Sequence, residues 1–202
     1  MGRLRNAPRT RQRIIDAATR EFSARGYDGA RIAEIARHAA VSKQLIHHHF
    51  HSKEALFKEV HAINLRPSER WNEALPRDPA DIIAERFRRR CRDVAYIRFL
   101  TWEAASAKNR TVPGEQERQR RVARYGAALR LLQADGLLPR DLDCKLMQLT
   151  ILALATYPMA FNQITRLVTG RSGTDPAFQR EWIKYLRKIG ARLFADGKKK
   201  RG

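Results

Sequence analysis

The sequence predicts an all-α protein, with a three-helix helix-turn-helix module at the N-terminus followed by a larger helical domain. Three observations carry this expectation. Apolar residues recur at helical spacing almost throughout, and no stretch keeps the period-two alternation of a half-buried strand. Helix starts and stops are marked by Ser and Asp caps, Asp-Pro pairs and single glycines. The pair Asp28-Gly29 is flanked by helical patterns, so it does not join a hairpin.

The first helix is expected over Arg9–Arg25. Ile14, Ile15, Ala18 and Phe22 form one apolar stripe, Gly26 supplies the stop and Tyr27 plugs the end. A short second helix, Ala30–His38, sets Ile32, Ile35 and Ala36 on one face. Ala39-Ala40-Val41 is a tight link, and Ser42 caps a third short helix from Lys43 to about His49. There Leu45 and Ile46 point inward, with Phe50 at the end. Ser52 caps a fourth helix that begins Lys53-Glu54, carries Leu56, Phe57, Val60 and Ile63, and ends or kinks at Pro67.

Asp78-Pro79 opens a helix to about Arg92, and Asp93 caps the next, to about Ala107. Pro113-Gly114 breaks the chain before a charged helix, Glu115–Asp135, stopped at Gly136. Asp141–Thr169 is the most apolar segment, with a kink expected near Pro158 and closure at Gly170. Asp175-Pro176 opens the last helix, Ala177–Asp196, stopped at Gly197; the basic tail Lys198–Arg201 reads as a frayed, solvated run.

Composition narrows the function. A hydrophobic fraction of 43% supplies a proper core. No apolar run approaches the roughly 18 residues of a membrane span, and no apolar segment follows the basic start as in a secretory signal. Cys91 and Cys144 are too few and too far apart for a disulfide framework, which suits a reducing cytoplasm. The net charge of +20 points to a polyanion, above all nucleic acid. Glycine-rich phosphate loops, GxSxG and metal-ligand arrays are absent, so an enzyme is not expected.

Two short helices joined tightly and braced by a longer one describe a helix-turn-helix, which buries one side of its third helix and offers the other to the major groove. With Leu45, Ile46 and Phe50 inward, Lys43, Gln44, His47 and His48 face out: rich in donors and without a carboxylate. The run IHHHFHSK holds four of the six histidines, yet neighbouring helical residues point in different directions and cannot share one ion. No metal site is expected; His47 and His48 read as DNA-facing and His49 as structural. Lys53, in the first turn of its helix, adds charge to an N-terminus suited to phosphate. The arm Arg3, Arg5, Arg9 and Arg11 either follows the duplex backbone or is simply solvated.

The span Arg9–Phe57, with "RQRIIDAATREFSARGYDGA", "RIAEIARHAAVSK" and "HHFHSKEALF", resembles the DNA-binding domain of the TetR (tetracycline repressor) family of transcriptional regulators. Three positions depart from the family pattern: Ala30-Arg31 where a Thr is frequent, Ala40 where Gly is usual, and His47 where a Tyr is common. The resemblance implies a DNA-binding domain over residues 1–57 and a helical domain over 58–202 that senses a ligand and dimerises. The DNA-contact set then comprises Arg31, Ser42, Lys43, Gln44, His47, His48 and Lys53.

Double-stranded DNA, a second copy of the chain and a small-molecule effector are the expected partners, with no cofactor and no membrane. The expected pairing surface uses Leu149, Leu152, Trp182, Leu186, Ile189 and Leu193 from the last two long helices. An effector pocket is expected among Tyr96, Phe99, Trp102, Tyr125, Tyr157 and Phe161, while the Arg-rich stretch Arg86–Arg92 reads as a solvated face. The function expected is a sequence-specific regulator, most simply a ligand-responsive repressor on a palindrome. The alternative is a non-specific or architectural DNA-binding protein without ligand control.

Overall fold

The computed structural model describes residues 7–65, 74–106 and 115–194. Arg3, Arg5, Pro67, the Pro113-Gly114 break and the basic tail lie outside them. Among the described residues there are ten helices and no strand. By compactness the chain forms two units: Met1–Arg66 with Arg98–Pro113, and Pro67–Ile97 with Gly114–Gly202.

The first unit contains α1 (Ala7–Gly29), α2 (Ile32–Ala39), α3 (Lys43–Phe50), α4 (Lys53–Leu65) and the later part of α6 (Val94–Ser106). Its core joins Ile14, Ala18 and Phe22 of α1 to Ile35, Ala36, Ile46, Phe50, Leu56 and Val60, all buried. At about 1.5–3 kcal/mol for each large apolar side chain, this packing outweighs the weak intrinsic stability of eight-residue helices. The unit extends past Phe57 because α4 continues along α1: Val60 is buried, and Asn64 Nδ2 donates to Thr19 Oγ1 at 3.2 Å.

Gly26 does not end α1 but breaks it, and helical structure resumes to Gly29. Its φ of 69° and ψ of −174° lie in a region essentially restricted to glycine. The Trp102 ring of α6 packs against it, so close that a Cβ there would sit 2.5 Å from two ring carbons. Beside it, Phe57 meets Phe22 edge-on at 5.0 Å and Tyr27 at 5.2 Å. Phe99 and His61 complete this aromatic layer, with His61 Nε2 3.7 Å from Glu103 Oε1.

The second unit holds α5 (Pro79–Cys91), the start of α6, α7 (Glu115–Ala134), α8 (Cys144–Ala160), α9 (Asn162–Thr169) and α10 (Pro176–Leu193). The expected caps are in place on α5 and α10: Asp78 accepts from Ala80 N, and Asp175 from Ala177 N and Phe178 N. Helix α10 lies against α5, where Gly190 lets the backbones touch; a Cβ there would be 2.9 Å from the Ala80 carbonyl oxygen. Arg187 Nε pairs with Asp81 Oδ1 at 2.8 Å across the same contact.

The apolar segment after Asp141 differs from the expected single kinked helix. Asp143 caps it, and the chain bends by 83° at Phe161 rather than near Pro158, dividing it into α8 and α9. The Thr165 hydroxyl donates to the carbonyls of Pro158 and Phe161, satisfying acceptors freed by the break. No single helix among the described residues is long and apolar enough to cross a membrane.

Two sequence expectations fail here for one reason, the close packing of α5. Leu186, expected on a pairing surface, is fully buried within its own unit, on the α10 stripe with Phe178 and Gly190. Arg86 and Arg90, expected on a solvated face, are also buried.

Candidate DNA-binding interface

Helix α3 is positioned from both ends. At its start, Ser42 Oγ accepts from Leu45 N at 3.1 Å, as a cap should. Before it, Ala40 closes α2 in a left-handed conformation, φ 50° and ψ 53°, and its N–H reaches the Ala36 and Arg37 carbonyls. Arg13 of α1 donates to the carbonyls of Ala39 and Ala40, at 2.5 and 3.2 Å, and so holds the turn. At the other end His51 adopts φ 62° and ψ −41°, with Ser52 N donating to Phe50 O at 2.7 Å, a tight γ-turn. Ser52 Oγ then accepts from Ala55 N and caps α4.

Ile46 and Phe50 are buried on the inner side of α3, while Ser42, Lys43, Gln44, His47 and His48 are exposed on the outer side. Lys43, Gln44 and His47 line a recess of about 340 Å³ with Ile32, Ile46, Ser52 and Lys53. Its floor is apolar, its rim carries two ammonium groups and an imidazole, and α3 contributes no carboxylate. Such a surface can meet phosphates at the rim and base edges from the helix.

Lys53 is half-buried rather than loosely solvated. Its Nζ lies 4.8 Å from the centroid of Tyr27 and 3.4 Å from the Asp28 carbonyl oxygen, so it stands fixed at the α4 N-terminus with donors to spare. Arg31 is exposed at the N-cap of α2, its backbone N–H donating to Glu21 Oε1 at 3.3 Å. His48 is exposed outside the recess, its ring 5.6 Å from that of half-buried His49. Among the described residues no three His, Cys, Asp or Glu side chains are placed to hold a metal ion.

Arg11, expected in a DNA-reaching arm, is structural: it pairs with Glu59 and lies over the Phe50 ring at 5.0 Å. Arg13, Ile32 and Ser52 were not singled out from sequence for this surface. Ser52 had been recognised as a cap, but the hydrogen bonds of Arg13 to a turn 26 residues away leave no local signal.

The aromatics expected to form one pocket are distributed. Phe99 and Trp102 serve the first unit; Tyr96 and Tyr125 meet arginines in the second. Tyr157 and Phe161, 4.9 Å apart, are exposed at the end of α8 and the break that follows.

A trihelical module with a carboxylate-free exposed recognition helix defines a helix-turn-helix transcriptional regulator. Residues 14–60 match the family described as bacterial regulatory proteins, tetR family. The chain is 31% identical over 179 residues to the HTH-type transcriptional repressor SCO4008 of Streptomyces coelicolor, a match covering 85% of this chain and 90% of that protein. It also resembles the solved structure of SCO4942 from Streptomyces coelicolor, with a TM-score of 0.71 and 24% identity over 93% of this chain and 99% of that one. Bacillus subtilis FadR in complex with stearoyl-CoA shares the fold at a TM-score of 0.52 and 18% identity, over 87% and 97% of the two chains. The chain belongs to the TetR family of DNA-binding transcriptional regulators, and its function is regulatory rather than enzymatic.

Proposed function

We propose that the protein is a ligand-responsive repressor that binds a palindromic operator as a homodimer, with residues 1–57 reading DNA and residues 58–202 sensing and pairing. The observation that carries the DNA-reading part is the outer side of α3. Lys43, Gln44, His47 and His48 are all exposed there, and no acidic side chain opposes them. Gln44 and His48 are the base-reading residues; Ser42, Lys43, His47, Lys53 and Arg31 bind the phosphate backbone.

The pairing part is supported by apolar side chains left uncovered on α8, α9 and α10. Leu149 is 63% exposed, with Leu146, Leu167, Val168, Tyr185 and Leu193 also exposed. Leu152, Trp182 and Ile189 are half-buried beside them, whereas Leu186 is withdrawn from the set because it is core. A monomer seldom leaves so many large apolar residues in water on consecutive helices. One helix-turn-helix also reads too few base pairs to find one site in a genome, so two copies must act together. For ligand control, the likeness to the acyl-CoA complex of FadR offers a precedent within the same fold.

The test is selection of bound fragments from a random DNA pool, with sedimentation of the same preparation. The expected result is a two-fold symmetric site whose half-sites lie about 34–36 Å apart, bound by a dimer. Enrichment of no sequence would overturn the reading in favour of a non-specific DNA-binding protein.

A further inference from the structure

Helix α5 carries Arg86 and Arg90 one turn apart, and both are buried in the second unit, at 8% and 4% exposure. Arg86 Cζ lies 4.3 Å from the ring centroid of Tyr125, and Arg90 Cζ 4.7 Å from that of Tyr96. Arg121 of α7 approaches the Tyr96 ring as well, at 6.0 Å. Buried with them is the Tyr125 hydroxyl, which has no hydrogen-bond partner among the described residues.

Three guanidinium groups thus converge on two phenol rings where water screens poorly. Burial pulls Arg90 down to about 10, with the neighbouring charges of Arg86 and Arg121 acting the same way. Burial also lowers Arg86 and raises Tyr125. Two carboxylates of α5 are engaged elsewhere: Glu85 bonds Arg88 and Arg89, and Asp81 pairs with Arg187. Attraction to the ring faces recovers only a fraction of the cost of desolvating such ions. An oxyanion suits the site far better, because guanidinium forks bind it bidentately and the phenol can donate to it.

We propose that this cluster is a binding site for a small anion bearing a carboxylate or phosphate group, held by Arg86, Arg90 and Arg121 with a hydrogen bond from the Tyr125 hydroxyl. Arg121 and Tyr125 are half-buried, so the α7 side of the cluster is the side open to solvent. That the anion is the effector rests on the reading of the chain as a ligand-responsive repressor; the binding site does not.

The experiment follows the melting temperature of the full chain in benzoate, inorganic phosphate or chloride at matched ionic strength. An oxyanion at twenty times its Kd raises the midpoint by roughly 4–7 °C. The rise is expected to vanish in Arg121→Met, a half-buried position that tolerates the change, and in Arg90→Met if that variant folds. It should shrink in Tyr125→Phe and persist in Lys53→Ala, which separates this site from the DNA-facing surface. A response to benzoate alone identifies a carboxylate ligand, and one to phosphate alone a phosphoryl ligand. No rise beyond chloride, or an equal rise in wild type and Arg121→Met, overturns the site. If the anion binds and operator affinity is unchanged, the site stands and its role as effector site falls.

Discussion

Replacing Gly26 with alanine probes how the DNA-binding unit is assembled. Two costs add. The backbone at φ 69° and ψ −174° belongs to a region that costs a side-chain-bearing residue about 1–3 kcal/mol. The new Cβ also meets the Trp102 ring at 2.5 Å, closer than carbon atoms can stand, so the indole must leave. Trp102 is 38% exposed and is free to swing outward; surrendering about 60 Å² of apolar contact costs roughly 1.5 kcal/mol. The total is about 3–4 kcal/mol, a large part of the stability of a typical domain. Urea unfolding followed by far-UV circular dichroism measures it, with the cycle Gly26→Ala, Trp102→Ala and the double variant isolating the contact. Once the indole is absent only the backbone cost remains, so the double variant should be more stable than the sum of the singles by about 1.5 kcal/mol. A Gly26→Ala protein within 0.5 kcal/mol of wild type on the order-of-magnitude scale of surface changes, or strict additivity, would refute the packing argument.

Three further outcomes are expected. Gln44→Ala and His48→Ala should relax base preference by about 1–3 kcal/mol each, whereas Lys53→Ala should weaken binding to all sequences and reduce the salt slope by about one, as measured by anisotropy titrations at several salt concentrations. Leu149→Glu and Leu193→Glu should give folded monomers in sedimentation with reduced operator affinity, while Leu186→Glu, placing a charge in the core, should not fold. Chelation or added zinc should leave melting and DNA binding unchanged, and a stoichiometric metal in untagged protein would contradict this.

The helix boundaries were legible where a short-range signal sets them. Ser42, Asp78 and Asp175 accept the backbone hydrogen bonds that their positions implied, because a cap needs only residues two or three places away. Gly136 and Gly170 close their helices at positive φ for the same reason. The outer side of α3 was readable too, since the spacing of Leu45, Ile46 and Phe50 left one set of residues facing out. Less legible was anything decided by which helix packs on which. Leu186 and Leu193 share one apolar stripe on α10, and only the position of α5 makes the first core and leaves the second exposed. Arg86 and Arg90 carried no sign of burial because an Arg-rich helix ordinarily faces water, and Tyr96 and Tyr125 are distant in sequence. The bend at Phe161 was assigned to Pro158, the obvious breaker, although the chain turns three residues later.

The two joints around α3 carry a consequence for how this protein can change. Ala40 and His51 both hold positive φ without being glycine, so each stores strain of order 1–2 kcal/mol. Glycine at either position would relieve that strain and raise resistance to denaturation. It would also let the recognition helix sample more tilts against the groove, and a helix that fits many approaches distinguishes fewer sequences. At these joints thermodynamic robustness and the information read from DNA pull in opposite directions, and a lineage selected for heat tolerance alone would drift towards a regulator that binds more and discriminates less.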